Sequence, residues 1–124
     1  KNKKIDLANF SFENAFEVKV AKSITLKPGE MCLGKTVEKI TLPNNIMGKL
    51  EGRSRYARMG LIIHTTSALV QPGSDNHQIL EIVNLAPFTM TLHAGMCVSQ
   101  VVFELLKSST TKPYSKFGKI ATRQ

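Results

Sequence analysis

Residues 52–81 carry the pattern that decides the fold of this chain, and they read GRSRYARMGLIIHTTSALVQPGSDNHQILE. A short basic segment ends in glycine and is followed by apolar runs that polar turn segments separate. Short apolar runs with turn residues between them are typical of β-strands. The stretch therefore predicts one short helix, Ser54–Met59, capped by Ser54 and closed by Gly60, followed by strands joined through tight turns.

The same alternation of strands and turns continues on both sides of this stretch. Phe16–Val20 alternates apolar and polar residues at the period of a strand, and Gly29 and Gly95 supply the permissive backbone of two tight turns. Further strands are predicted at 24–26, 31–40, 46–52, 88–92 and 98–106. Many short strands with almost no helix predict an all-β barrel or sandwich.

Size and charge limit the partners of the chain. Its 124 residues suffice for one domain, and we predict a β-barrel domain over 1–106 and a basic tail over 107–124. Seventeen Lys and Arg against nine Asp and Glu give a formal charge of +8, which favours anionic partners such as phosphates. Aromatic residues make up only 6% and do not interleave with basic ones, so a small phosphorylated ligand is expected rather than nucleic acid.

Neither a membrane nor a zinc ion is expected as a partner. No apolar run approaches the roughly 20 residues of a membrane span, and the first residues lack the apolar centre of a secretory signal. Cys32 and Cys97 each lie in an apolar run, without a Cys-x-x-Cys pair or a His-x-Glu motif. We therefore expect a reduced, cytoplasmic protein whose two thiols lie in the core.

Glu81 is the residue whose position in the sequence most strongly suggests a catalytic role. It lies in the predicted strand Gln78–Leu85, which is apolar on both faces and is therefore expected to be buried on both sides. Burial raises the pKa of a carboxyl group and a nearby arginine lowers it, so such a pair suits proton transfer near neutral pH. Ser54 and Arg58 are four residues apart, so one helical turn places them on the same face. A structural ion pair between Glu81 and an arginine is the alternative.

Several motifs follow one another in an order that identifies a family. They are Gly52-Arg-Ser-x-x-Ala-Arg-x-Gly-Leu, Pro72-Gly, Leu80-Glu-Ile-x-Asn and Ala94-Gly-Met-x-x-x-Gln, preceded by matching motifs at 26–38 and 42–52. This set resembles the dCTP deaminase family of the dUTPase-like superfamily, over roughly residues 10–106. The resemblance implies a distorted jelly-roll or β-clip barrel with one short helix. It also implies a homotrimer in which neighbouring subunits share each site.

The resemblance further implies zinc-independent hydrolytic deamination of dCTP to dUTP and ammonia. Glu81 matches the family's catalytic glutamate, a proton shuttle that activates water for attack at C4 of cytosine. Ser54 and Arg58 match the residues that hold that water and the glutamate. The family binds its deoxycytidine nucleotide with Mg²⁺ on the phosphates, so the resemblance implies Mg²⁺ here and no metal ligated by the protein.

The resemblance assigns substrate binding to further residues, which are Arg53, Arg55, Ser67, Gln71, Tyr114, Lys119 and Gln124. Arg53 matches a basic residue near the phosphates, and Arg55 adds charge in the same place. Ser67 stands where the family usually has an alanine whose backbone positions the water and the base. The tail residues resemble a lid that reaches the triphosphate. A freely disordered tail is the alternative.

Two departures from the family pattern leave other functions open. Gln71 stands where most relatives have Asp before Pro-Gly, and in dUTPases this position bears the catalytic aspartate. A dUTP pyrophosphatase, or a bifunctional deaminase and dUTPase, is the second hypothesis, and Gln71 weakens it because glutamine lacks that carboxylate. The third is a catalytically silent trimeric nucleotide-binding relative, which the substituted loop 74–76 favours. Retention of Glu81, Ser54 and Arg58 together argues against a silent protein.

Overall fold

The computed structural model describes residues 4–63 and 67–118. Its elements are α1 (Phe12–Ala15), β1 (Ser23–Leu26), β2 (Met31–Thr41), β3 (Ile46–Gly52), α2 (Ser54–Ala57), β4 (Leu61–Ile63), β5 (Leu69–Val70), β6 (Asp75–Asn84), β7 (Met90–His93), β8 (Ser99–Leu105) and α3 (Tyr114–Phe117). The mostly-β class is confirmed. The prediction of one helix is wrong, because α1 and α3 each form a further single turn. None of the described helices is long and apolar enough to cross a membrane.

The strands form three small antiparallel sheets. β6 is the centre of the first, in the order β2-β6-β4, and β3 is the centre of the second, in the order β5-β3-β8. β1 and β7 pair with each other as the third. We call the first two the β6 sheet and the β3 sheet. Most of these pairs join strands that are distant in sequence, so the position of each candidate site residue depends on long-range pairing.

A single hydrophobic core holds the three sheets together. Its buried members come from all three sheets and from the turn after β2, and they are Leu26, Leu42, Leu50, Leu61, Ile63, Val70, Leu80, Ile82 and Leu92. Burial of one such side chain contributes about 1.5–3 kcal/mol. The core therefore supplies the main force that brings the sheets into one arrangement.

β6 has one buried face and one half-buried face. Leu80 and Ile82 are buried in the core, whereas Ile79, Glu81 and Val83, which alternate with them, are half-buried. The expectation that this strand is buried on both sides is therefore wrong for the single chain. The physical reason is that the core packs against only one face of the β6 sheet. Glu81 lies on the other face, which we call the outer face.

Residues 16–20 do not form the predicted strand. Val18 and Val20 are 92% and 101% exposed. In the described part of the chain, none of the three sheets includes this segment. A strand needs the hydrogen bonds of a neighbouring strand, so an alternating sequence pattern alone is insufficient.

The two cysteines differ in their surroundings. Cys32 in β2 is half-buried, and burial raises the pKa of its thiol. Cys97 is exposed, because it lies in the turn before β8 rather than within a strand. The expectation that both thiols lie in the core is therefore wrong for Cys97.

Asn84, at the end of β6, joins three segments of the fold. It is completely buried, at 0% exposure. Its side-chain amide donates to the carbonyl oxygens of Leu26 at 2.9 Å and Phe88 at 2.8 Å, and its Oδ1 accepts from the Ala86 amide at 2.9 Å. Both amide hydrogens and the carbonyl oxygen are thus satisfied. Asn84 fixes the end of β6 to β1 and to the turn that leads to β7.

Candidate active site

α2 carries Ser54 at its first position, and Arg58 follows its last residue. The predicted helix is confirmed over Ser54–Ala57, and Gly60 closes the turn with φ 88°. The N-cap is Arg53, without a side-chain cap bond, so the capping role predicted for Ser54 is wrong. The Arg58 amide donates to the Ser54 carbonyl at 3.1 Å, so the two residues share one helical turn. Both are exposed, and their polar groups are accessible to a ligand.

Arg53 and Arg55 lie beside Ser54 and differ in their contacts. Arg53 Nη1 donates to the carbonyl oxygen of Cys97 at 2.8 Å. The guanidinium carbon of Arg55 lies 5.6 Å from the centre of the Tyr56 ring, which is a cation–π distance. Both arginines are exposed. Together with Arg58 they make α2 and its flanks strongly basic, which suits an anionic ligand.

Glu81 lies in the middle of the outer face of the β6 sheet. It is paired directly with Leu33 of β2, and Ile79 and Val83 flank it on the same face. Its Oε2 atom is shielded from solvent although the residue is only half-buried. A shielded carboxylate oxygen among apolar neighbours is the setting that the sequence pattern suggests for a proton-transfer group.

The turn that follows α2 is joined to the residue that follows β6. The Leu85 amide donates to the Gly60 carbonyl at 2.9 Å. Glu81 lies four residues before Leu85, which corresponds to about 13 Å along a strand. Among the described residues, no hydrogen bond or ion pair joins the side chain of Ser54 or Arg58 to Glu81. Within one chain, Ser54 and Arg58 therefore share a helical turn, but neither side chain is bonded to Glu81.

The structure does bring Gln71 and Tyr114 close together. The Tyr114 amide donates to the Pro72 carbonyl at 3.0 Å, and the Ser115 amide donates to the Gly73 carbonyl at 3.1 Å. Gln71 and Tyr114 are both half-buried. α3 is therefore attached to the turn before β6, and these two predicted substrate-binding residues belong to one surface.

The tail is docked on the domain as far as residue 118. Residues 106 and 110 donate backbone hydrogen bonds to the turn Asn44–Asn45, at 2.8 and 2.9 Å. Pro113 is buried, because it packs against Gly73. Residues 107–118 thus lie along two turns at the same end of the domain. The division of the chain at residue 106 stays a prediction.

Gly73 is the position at which a small change is expected to release this docked segment. A Cβ atom there would lie 2.5 Å from Pro113 Cβ, and the backbone has φ 76°. Clash and left-handed strain together cost about 1–3 kcal/mol. We expect Gly73→Ala to lower the free energy of unfolding by that amount and to speed amide hydrogen exchange of residues 114–116.

Gly95→Ala is the matched control for Gly73→Ala. Gly95 has φ 83°, but no atom lies within 4 Å of the Cβ that the alanine would add. This variant therefore introduces the strain without the clash. Equal exchange rates at residues 114–116 in the two variants would contradict the docking role of the Gly73–Pro113 contact.

Ser67 lines a shallow depression of about 420 Å³ beside the β3 sheet, together with Lys49 and the start of β5. Lys49 is a candidate ligand residue that the sequence analysis does not identify. Its place beside Ser67 results from the pairing of β3 with β5, for which the sequence offers no local signal. The predicted residues Lys119 and Gln124, and also His64, lie outside the described residues.

Asp75, at the start of β6, accepts hydrogen bonds from two residues of β2. The Thr41 hydroxyl donates to its carboxylate at 2.6 Å and the Lys39 ammonium donates at 3.0 Å. These hydrogen bonds, and the charge of Lys39, hold the pKa of Asp75 below its usual value. Asp75 is therefore ionised at neutral pH and is paired with β2 rather than available as a base.

Comparison with known proteins identifies the family. A family model described as dCTP deaminase-like matches residues 1–106. The chain belongs to this dCTP deaminase-like family. The dCTP deaminase of Wigglesworthia glossinidia brevipalpis is 36% identical over 116 residues, which cover 94% of this chain and 59% of that protein. The dUMP-forming dCTP deaminase of Clavibacter michiganensis subsp. michiganensis is 39% identical over 107 residues, which cover 86% and 53%.

The dCTP deaminase-like chain spans about half the length of the curated relatives that it matches. Among solved structures, a mutant dUTPase from phage phi11 of S. aureus is similar, with a TM-score of 0.61 and 18% identity. The match covers 73% of this chain and 76% of that one, whose structure concerns a structural Mg(II) ion. At this identity the similarity establishes a dUTPase-like fold and nothing about the ligand.

Proposed function

We propose that this dCTP deaminase-like chain takes part in zinc-independent deamination of dCTP to dUTP and ammonia. The observation that carries the proposal is the shielded carboxylate oxygen of Glu81 on an apolar strand face in a member of this family. In the proposed reaction Glu81 accepts a proton from water as the water oxygen bonds to C4 of cytosine. It then returns the proton to the amino nitrogen, and the C4–N bond breaks to release ammonia.

A second copy of the chain is proposed to complete the site. The outer face around Glu81 is mostly apolar. It includes Met31, which is 49% exposed, together with Leu33 and Ile62, and Lys35 lies on the same face opposite Ile79. An uncovered apolar face of this kind favours association with another chain. Because neither Ser54 nor Arg58 is bonded to Glu81 within one chain, these residues of one copy would hold the water beside Glu81 of the next. A homotrimer, as the resemblance implies, has this arrangement three times.

The remaining site residues are assigned to the nucleotide. Arg55 and Arg53 are proposed to bind the phosphates. One of the five N–H groups of the Arg53 guanidinium donates to the Cys97 carbonyl, and the other four can donate to a phosphate. Ser67 is proposed to position the base, and Gln71 and Tyr114 to contact the nucleotide from the docked turn. The roles of Lys119 and Gln124 stay predictions from the family resemblance, as does the cytoplasmic location.

Mg²⁺ is proposed to enter the site on the nucleotide. The described residues contain no group of three or more His, Cys, Asp or Glu side chains that could hold a metal ion. α2 instead presents exposed guanidinium groups, which suit phosphate oxygens. Mg²⁺ commonly binds through substrate phosphates rather than in an all-protein cage. Its contribution when bound is to neutralise part of the triphosphate charge, and the chain's own groups orient the base.

Hydrolysis of the triphosphate is the second candidate function, since the Clavibacter relative is among those named as dUMP-forming. Gln71 lacks the carboxylate that dUTPases carry at this position, so we expect dUTP as the product. We predict that Gln71→Asp makes the protein release dUMP and pyrophosphate, because a carboxylate can deprotonate a water molecule there. Chromatography of the nucleotide products measures the change.

Gln71→Asn is the control for the Gln71→Asp variant, because it shortens the side chain equally and adds no base. Formation of dUMP by the unmodified protein would contradict the expectation that hydrolysis needs a carboxylate at position 71. The third candidate, a silent nucleotide-binding protein, predicts binding of dCTP without ammonia. Measurement of ammonia release from dCTP with Mg²⁺ therefore separates deamination from silent binding.

A further inference from the structure

Residues 5–20, which precede β1, expose their large apolar side chains to solvent. We call these residues the leading segment. The exposed side chains are Ile5, Leu7, Phe10, Phe12, Phe16, Val18 and Val20. The three phenylalanine rings gather around Phe12, with the Phe10 and Phe16 ring centres 4.9 and 6.2 Å from its own. An exposed apolar cluster of this kind marks a surface that another molecule covers.

The leading segment is acidic although the chain as a whole is basic. It contains Asp6, Glu13 and Glu17 and a single basic residue, Lys19, whereas the whole chain has a formal charge of +8. The Lys19 ammonium lies 3.6 Å from the Glu17 carboxylate, and both side chains are largely exposed. The segment therefore combines apolar side chains with a net negative charge. A complementary partner surface is apolar and bordered by positive charge.

An apolar groove lies between α2 and β7. It has a volume of about 200 Å³ and is lined mainly by Tyr56, Met59, Leu61, Phe88, Met90 and Met96. Sites for small molecules usually enclose about 300–1,000 Å³, so this groove suits a single side chain. Methionine side chains adapt to apolar partners of different shapes and make favourable contacts with aromatic rings. The groove is therefore suited to a phenylalanine ring.

Arginines border this groove. The guanidinium carbon of Arg55 lies 5.6 Å from the centre of the Tyr56 ring, and Arg58 directly precedes Met59. Both arginines are exposed, and Met59 and Phe88 are 54% and 46% exposed. The groove thus combines an accessible apolar lining with a basic edge, which are the two properties that complement the leading segment.

We propose that the leading segment of one copy binds in the groove of a second copy. One of its phenylalanine rings enters among the methionines, and its carboxylates lie near the basic edge. The segment does not cover the groove of its own chain, because its apolar side chains are exposed in the described fold. The groove shares no residue with the outer face of the β6 sheet. The inference therefore goes beyond the proposed deamination and does not depend on it.

Disulfide cross-linking between copies tests this contact. Ser11 adjoins Phe12 and makes no side-chain cap bond, and Met59 lies at the exposed edge of the groove. A Ser11→Cys protein and a Met59→Cys protein are co-expressed with different tags, both with Cys97→Ser to remove the exposed native thiol. A disulfide needs Cβ atoms about 4 Å apart, so only residues that come together are linked.

The control pairs Ser11→Cys with Val37→Cys, because Val37 is an exposed apolar residue of β2 that does not line the groove. On a non-reducing gel we expect about tenfold more mixed dimer with Met59→Cys than with Val37→Cys, since docking raises the local concentration of the two thiols. Equal yields would overturn the proposal. A disulfide that forms only within a chain carrying both Ser11→Cys and Met59→Cys would overturn it as well, because the segment would then occupy its own groove.

Charge reversal tests why the leading segment is the occupant. Adding Glu17→Lys to the Ser11→Cys protein is expected to lower the yield of mixed dimer about threefold or more, because a lysine is repelled by the arginines at the groove. Glu38→Lys makes the same change at an exposed glutamate of β2 and is expected to leave the yield unchanged. Equal yields for the two variants would overturn the proposal. Neither experiment measures ammonia, so a failure of deamination does not affect the result.

Discussion

Replacing Glu81 with glutamine is expected to slow ammonia release from dCTP by about 10²- to 10⁴-fold, the range that general acid–base catalysis contributes. The amide has the size of the carboxylate but cannot accept a proton from water. Binding of the nucleotide does not depend on that proton transfer, so KM is expected to stay within about threefold. The initial rate at saturating dCTP measures the effect.

Two measurements make the Glu81→Gln result interpretable. The variant should keep its sedimentation mass and its melting temperature, because glutamine preserves the shape of the outer face. Glu104→Gln is the matched control, since Glu104 is an exposed glutamate of β8 and has no assigned role. A Glu81→Gln protein that retains more than about a tenth of the unmodified rate would rule out Glu81 as the proton shuttle.

The same variant tests whether the site is shared between copies. Ser54→Ala is expected to be nearly inactive by itself, because it loses a group that holds the attacking water. If α2 of one copy faces Glu81 of the next, mixed assemblies of Ser54→Ala and Glu81→Gln contain some intact sites, and activity returns on mixing. If each site lies within one chain, mixing restores none.

Asn84→Leu is expected to lower the free energy of unfolding by about 3–5 kcal/mol. The change leaves the carbonyl oxygens of Leu26 and Phe88 and the amide of Ala86 without the partners that Asn84 provides. Each unsatisfied buried group costs about 1–3 kcal/mol, partly offset by burial of an apolar side chain. Urea unfolding monitored by circular dichroism measures the loss.

Asn45→Ala is the control for the Asn84 variant. Asn45 is exposed, and substitutions at such positions change stability by about 0.5 kcal/mol or less. A loss of less than about 1 kcal/mol for Asn84→Leu would mean that the buried amide does not hold β6 to its neighbours. The same result would remove the structural basis for a fixed Glu81 three residues earlier in the strand.

Local features of the fold are predictable from the sequence because they depend on neighbouring residues. The turns at Gly29 and Gly95 have φ of 80° and 83°, and Gly60 ends α2 as expected. The strand pattern fails at residues 16–20, where alternation is present but none of the described strands pairs with it. It also fails for the outer face of β6, because apolar residues reveal that a face suits burial but not whether the same chain covers it.

In the candidate site, too, the residues with a local sequence signal are predictable, and the contacts that depend on long-range packing are not. Glu81 is recognisable as a carboxylate within an apolar strand, and Ser54 and Arg58 as residues of one helical turn. The closeness of Tyr114 to Gln71 is not recognisable, because it depends on docking of a segment forty residues later in the chain. The hydrogen bonds of Asn84 likewise join segments whose proximity only the assembled sheets create.

The most direct test is to incubate the purified protein with dCTP and Mg²⁺, follow ammonia, and identify the nucleotide product. Deamination through Glu81 predicts one ammonia for each dUTP formed, with neither dUMP nor pyrophosphate. A protein that binds dCTP in its assembled state and releases no ammonia would contradict the proposed function.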